Sequence, residues 1–177
     1  MYNLSKDKLD LFLRHYLLEI YYKHYISIPL KIFHHSFVIE VPIDKVWNFY
    51  TDLHHLEIIT PKRLDLKIIE SSSNKITLGQ TAYFSSKLLT RITWKTKITA
   101  CKPYTYVDEM SNTIFKRWKH THVFHKINEN QTKVTDKIEF ELQYGFIEKL
   151  FEWYALDKLK KIFAHRQQAT INALSNP

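Results

Sequence analysis

Glycine is scarce in this chain, with two residues in 177. A phosphate-cradling loop, a dinucleotide fingerprint and a nucleophile elbow each need glycine where the backbone turns sharply or approaches a ligand, so all three are excluded. The single cysteine, Cys101, cannot close an internal disulfide, and there is no Cys-x-x-Cys pair for zinc or redox work. A cytoplasmic location is the expectation. No run of about 18 uncharged apolar residues occurs, which argues against a transmembrane helix. Nor does the N-terminus show a short apolar core followed by a small-residue cleavage site.

What the chain does have is apolar and aromatic material: 45% hydrophobic residues, including 11 Tyr and 11 Phe. That composition, at this length, suits one globular domain with a sizeable core, with or without an appendage. The formal charge of +8 fits nucleic acid, an anionic membrane surface or a plain basic protein. The charges are spread, the densest run (Lys158, Lys160, Lys161) sits in a helical pattern, and no nucleic-acid motif accompanies it, so no nucleic-acid partner is expected.

Residues Lys8 to Tyr25 read as an amphipathic helix, with Leu9, Phe12, Leu13, Tyr16, Leu17 and Ile20 at helical spacing and Pro29 ending it. This extension, residues 1–32, could pack on the main domain, pair with a copy of itself as a homodimer, or make peripheral contact with a membrane surface; packing is favoured. From Phe33 the pattern becomes a strand closed by Pro42. Asp44 is expected to cap a short helix, and a second short turn follows from Leu53 to Ile59. Six further strands are expected: Leu64 to Ser71, Ile76 to Lys87, Arg91 to Cys101, Tyr104 to Met110, Ile114 to Ile127 and Lys133 to Tyr144. In the third of these, Ile92, Trp94, Thr96, Ile98 and Ala100 form a dry face. A long helix from near Phe146 completes an α+β order, its apolar residues Ile147, Leu150, Phe151, Tyr154, Leu156, Leu159, Ile162 and Phe163 covering a seven-stranded antiparallel sheet.

The segment Trp118-Lys119-His120-Thr121-His122-Val123-Phe124 is the most telling. A strand period of two puts Trp118, His120, His122 and Phe124 on one face, opposite Arg117, Lys119, Thr121, Val123 and His125. Imidazoles on the inner face need hydrogen-bond partners, or they serve a ligand, a metal or a proton transfer. A three-residue loop at 128–130 would set His122 opposite Asp136, Phe124 opposite Val134 and His120 opposite Ile138. A His122–Asp136 pair could fix a tautomer and prime a general base; the plainer reading is a buried pair that satisfies itself. His-x-His also suggests metal ligation, with Asp136, Glu109, His54 or His55 as a third ligand. Only the two histidines have assured direction, so no metal and no cofactor is assigned. Cys101 reads as a small structural thiol. Trp47, Trp94, Trp118 and Trp153 could line a pocket or belong to the core.

This order of elements, with Val41-Pro42-Ile43-Asp44-Lys45-Val46-Trp47-Asn48-Phe49, Thr60-Pro61, Val107-Asp108-Glu109, the Trp118 to Phe124 segment, Thr132-Lys133-Val134-Thr135-Asp136 and Phe163-Ala164-His165-Arg166, resembles the START-like, Bet v 1-like (SRPBCC) superfamily. Within it, the motifs are similar to those of a bacterial and archaeal branch of ligand-binding or cyclase/dehydrase-type proteins. The resemblance spans about Phe33 to Leu174 and implies the helix-grip fold, with a hydrophobic cavity between the sheet and the last helix. Relatives often carry a Gly-Pro turn where this chain has Ser111-Asn112-Thr113.

Together these readings predict a domain at residues 33–177 that binds a hydrophobic small molecule such as a lipid, quinone or polycyclic aromatic compound. Trp118, His120, His122, Phe124, Asp136, Ile138, Trp94, Trp153 and Tyr154 would line the site, with His120, His122 and Asp136 as polar anchors. The runner-up is a cyclase- or dehydratase-like enzyme with His122 as general base, oriented by Asp136. The third reading is an interaction module acting through the N-terminal helix.

Overall fold

A computed structural model describes residues 14, 30–87, 90–113, 115–142 and 148–175, without the side chains of 148–151. The N-terminal helix expected over Lys8 to Tyr25 lies outside these residues, apart from helical Arg14.

Strand β1 (Lys31–Ile39) leads into α1 (Ile43–Tyr50) and α2 (His55–Ile59), and a short 3-10 turn (Lys62–Leu64) follows. Then come β2 (Lys67–Ser71), β3 (Thr81–Lys87), β4 (Arg91–Lys102), β5 (Thr105–Ser111), β6 (Phe115–Asn128), β7 (Gln131–Leu142) and the long helix α3 (Glu148–Ser175). The seven strands form one antiparallel sheet in the order β1-β7-β6-β5-β4-β3-β2. No helix among the described residues is long and apolar enough to cross a membrane.

Several local expectations need correction. Asp44 is not a cap: α1 starts one residue earlier, and Pro42 gives its carbonyl to the amides of Lys45 and Val46 at 3.1 and 3.2 Å. The Asp44 carboxylate instead accepts from the Tyr104 hydroxyl at 2.7 Å. The dry face of β4 holds as far as Ile98 and then breaks. A bulge between Ile98 and Ala100 leaves Ala100 exposed and turns Cys101 toward the core, where it packs as a structural thiol. The β6–β7 turn is tighter than a three-residue loop, because Asn128 already faces Gln131 and a bulge between Lys126 and Asn128 absorbs the extra residue. Asn112, in the turn after β5, takes a φ of 58°, a left-handed conformation that asparagine tolerates.

One core cluster, with Phe33, Trp118, Ile138, Phe140, Leu159 and Phe163, lies where α3 crosses β1, β7 and β6, and a second gathers around α1. Val46, Ile138 and Phe140 are wholly buried, each contributing roughly 1.5–3 kcal/mol on removal from water. On α3, the buried residues Leu159, Phe163, Thr170 and Leu174 recur at helical spacing and face the sheet. Two polar contacts fix the far end of that helix. The Tyr50 hydroxyl bonds Thr170 Oγ1 at 3.0 Å, and Lys45 Nζ donates to the Leu174 carbonyl at 3.0 Å, satisfying an acceptor that the helix end leaves open.

Candidate functional site

Strand pairing assembles the site. In β6, Trp118, His120, His122 and Phe124 are buried on one face while Arg117, Val123 and His125 are exposed on the other. The β6–β7 register sets His122 opposite Asp136, and the β5–β6 register sets Tyr106 opposite His122 and Asp108 opposite His120. Three adjacent strands therefore bring two imidazoles and two carboxylates together on the inner face.

The contacts run diagonally as well as across. His120 donates from Nε2 to Asp136 Oδ1 at 2.9 Å, and His122 donates from Nε2 to Asp108 Oδ2 at 2.9 Å. The cross-strand separations are 3.0 Å from His122 Nδ1 to Asp136 Oδ1 and 3.6 Å from His120 Nδ1 to Asp108 Oδ2. His122 Nδ1 is thus at ion-pairing distance from Asp136 but not in line for a hydrogen bond. The expected His122–Asp136 neighbourhood is present, while the directed hydrogen bond to Asp136 comes from His120.

Charge follows from this packing. Burial opposes ionisation of Asp136, yet the His120 hydrogen bond and the adjacent His122 imidazole hold its carboxyl far below the usual carboxylate range. Burial opposes ionisation of Asp108 as well, and the His122 hydrogen bond together with the charges of His120, His122 and Arg166 outweighs it, so its pKa is lowered. Burial and the neighbouring His122 push His120 down. For His122, burial works in the same sense, but the hydrogen bond to Asp108 and the adjacent Asp136 carboxylate together overcome it and raise its pKa.

A cavity of about 460 Å³ opens beside this quartet. Its wall follows strand alternation: Ala82, Phe84 and Ser86 from β3, Ile92, Trp94, Thr96 and Ile98 from β4, Tyr106, Asp108 and Met110 from β5, and Trp118, His120 and His122 from β6. From α3 come Tyr154, Leu159, Phe163 and Arg166.

Of the residues expected at a site, Trp94, Trp118, His120, His122 and Tyr154 line this cavity. Asp136 stands behind the imidazoles rather than on the wall. Three others are corrections. Phe124 is core, edge-on to Trp47 at 5.6 Å and Tyr50 at 5.0 Å. Ile138 is fully buried with Phe33, Phe140 and Phe163. Trp153 is 70% exposed, being off the helical stripe of Leu156, Leu159 and Phe163. Asp108, Tyr106 and Arg166 join the site without a role assigned from sequence. For Arg166 a signal existed, since a cation three residues after Phe163 falls on the buried stripe of α3. For Asp108 the signal was weak, because Tyr106 and Val107 are both buried and the alternation of β5 does not declare its inner face.

No family model and no curated protein matches the chain. Solved structures do. The protein TTHA0849 from Thermus thermophilus is similar with a TM-score of 0.63 at 15% identity, over 81% of this chain and 99% of that one. Norcoclaurine synthase from Thalictrum flavum, in complex with dopamine and hydroxybenzaldehyde, superposes with a TM-score of 0.65 at 14% identity, over 86% and 91% of the two chains. The Zhui aromatase/cyclase from a Streptomyces species gives 0.59 at 16% identity, over 82% and 92%. The chain has the helix-grip fold that these structures share. Within the helix grip, the quartet sits on the concave wall where β5, β6 and β7 meet, with α3 passing above it: Phe163 lies edge-on to His120 at 5.5 Å, and Arg166 stacks over Phe163 at 5.2 Å.

Proposed function

We propose that this protein binds an apolar small molecule, of the lipid, quinone or polycyclic aromatic kind, in the cavity between the sheet and α3. One observation carries the reading. Among the described residues, Gln80 Oε1, Trp118 Nε1 and Arg166 Nε are buried side-chain polar atoms without a hydrogen-bond partner, and all three residues line the cavity. Leaving such an atom unpaired in the interior costs about 1–3 kcal/mol. A ligand that is mostly apolar, with a few polar atoms, would relieve that cost while filling a wall of Phe84, Ile92, Trp94, Ile98 and Leu159. The test is titration with a fluorescent apolar probe. Saturable uptake by the wild type, lost in Thr96→Trp, is expected; equal uptake by both proteins, or none by the wild type, contradicts the reading.

A second reading is catalytic. His122 lines the cavity between two carboxylates, and its raised pKa suits an acid–base group acting on a bound carbonyl compound. Two of the similar structures are named as a synthase and an aromatase/cyclase, which supports considering it. If His122→Ala keeps probe affinity within about two-fold and abolishes turnover of a polyketide-like substrate, catalysis is favoured over carriage; unchanged turnover excludes His122 as the base. The interaction-module reading concerns residues 1–32 and is tested by deleting residues 1–28: unchanged vesicle and partner association removes its basis.

A further inference from the structure

The His/Asp quartet has a polarity that ligand binding alone does not use. Asp136 lies behind both imidazoles, 2.9 Å from His120 Nε2 and 3.0 Å from His122 Nδ1, and is absent from the cavity wall. The opposite nitrogens, His120 Nδ1 and His122 Nε2, both turn toward Asp108 Oδ2, at 3.6 and 2.9 Å. Asp108, His120 and His122 all line the cavity.

We propose that Asp108, His120 and His122 form a binding site for one divalent first-row transition-metal ion, such as zinc or iron(II), with Asp136 as the carboxylate that orients both imidazoles. The site goes beyond apolar ligand binding and stands or falls separately from it.

Three features support it. First, each of the three residues offers one ligand atom, and these lie within 4.8 Å of one another. Metal–ligand bonds of about 2.0–2.2 Å place neighbouring ligand atoms roughly 3.0–3.5 Å apart, close to the separations of 2.9 and 3.6 Å found around Asp108 Oδ2. Second, a metal-bound histidine usually gives its other ring N–H to a carboxylate, which fixes its tautomer and orientation. Asp136 receives that proton from His120 at 2.9 Å and stands 3.0 Å from the corresponding nitrogen of His122. Third, the proton of His120 is engaged on Nε2, so its Nδ1 lone pair faces the Asp108 carboxylate, acceptor against acceptor. The proton on His122 Nε2 bridges only one of the two nitrogens to Asp108. A cation taking the place of that proton would draw in both. Two imidazoles and one carboxylate on one wall leave further coordination positions open toward the cavity. A third ligand with known direction was what the sequence lacked, and Asp108 provides it from β5.

The experiment is titration of chelator-treated full-length protein with Co²⁺ alone, followed through its visible ligand-field bands, and then competition with Zn²⁺. One Co²⁺ per chain, displaced by Zn²⁺, is expected. Asp108→Asn should weaken binding by about 100-fold or more, and Asp136→Asn by about 10–100-fold with altered bands. Replacing the exposed His125 by Ala should change nothing. His120→Gln provides a second ligand variant should Asp108→Asn fail to fold by circular dichroism. The proposal is overturned if the wild type binds Co²⁺ no more tightly than the ligand variants, or if His125→Ala abolishes binding.

Discussion

The two ends of the concave sheet face are built from different residues. Toward β1 and β7 the inner face carries Phe33, Phe37, Ile39, Val134, Ile138 and Phe140, and α3 closes on them with Leu159 and Phe163. Toward β3 and β4, Phe84, Ile92, Trp94 and Ile98 are interspersed with the smaller or polar Gln80, Ala82, Ser86, Thr90 and Thr96, and a cavity lies over this part of the face. One helix over one sheet thus gives a solid core and a hollow. The His/Asp quartet falls at the boundary, on β5, β6 and β7, where a polar group can be held rigidly from behind and still be reached from the cavity.

The sharpest way to break this contrast is to hollow out the solid end. Phe140→Ala should destabilise the protein by roughly 3–5 kcal/mol in chemical denaturation, because Phe140 is fully buried among rings that cannot collapse onto the space. A loss below about 1 kcal/mol would mean that this end is not solid.

At the boundary, Asp136→Asn should cost about 3 kcal/mol, since it removes the carboxylate that both imidazoles approach. Its pH dependence has a definite sign. Both carboxyls are held below their ordinary range, so the stability they contribute in the metal-free protein is complete above about pH 4 and declines as acid protonates them in the fold. Wild-type stability should therefore fall on acidification below that point more steeply than that of the variant. Parallel curves would refute the coupling.

Adding bulk should separate the two ends with a smaller effect. Val134→Phe, at a position 1% exposed, should cost about 1–3 kcal/mol through overpacking. Thr96→Phe, on the cavity wall, should stay within about 0.5 kcal/mol of wild type. Equal penalties would show that the cavity is not available space.

Much of this layout was legible in the sequence. The element order, and the alternation that turns Trp118, His120, His122 and Phe124 inward, follow from period-two patterning uninterrupted by a bulge. The β6–β7 pairing was readable because both strands run into one short hairpin, and the tighter turn did not matter: the bulge beside Asn128 restored the register. Depth was not readable. Whether an inward residue meets the helix or the hollow depends on what stands across from it, so Phe124 and Ile138 were placed on a cavity they do not touch. Asp108 was not singled out for a physical reason as well. The link from β5 to β6 gives no simple hairpin signal, and with Tyr106 and Val107 both buried, nothing in β5 alone marks Asp108 rather than Glu109 as the inner acid.

Native mass spectrometry of the protein as purified from cells, beside its Thr96→Trp variant, tests the hollow end most directly. Apolar small-molecule adducts on the wild type, absent from the variant while both remain folded, are the predicted result. A bare wild-type mass, or the same adducts on both proteins, would contradict the assignment of this cavity as a ligand site.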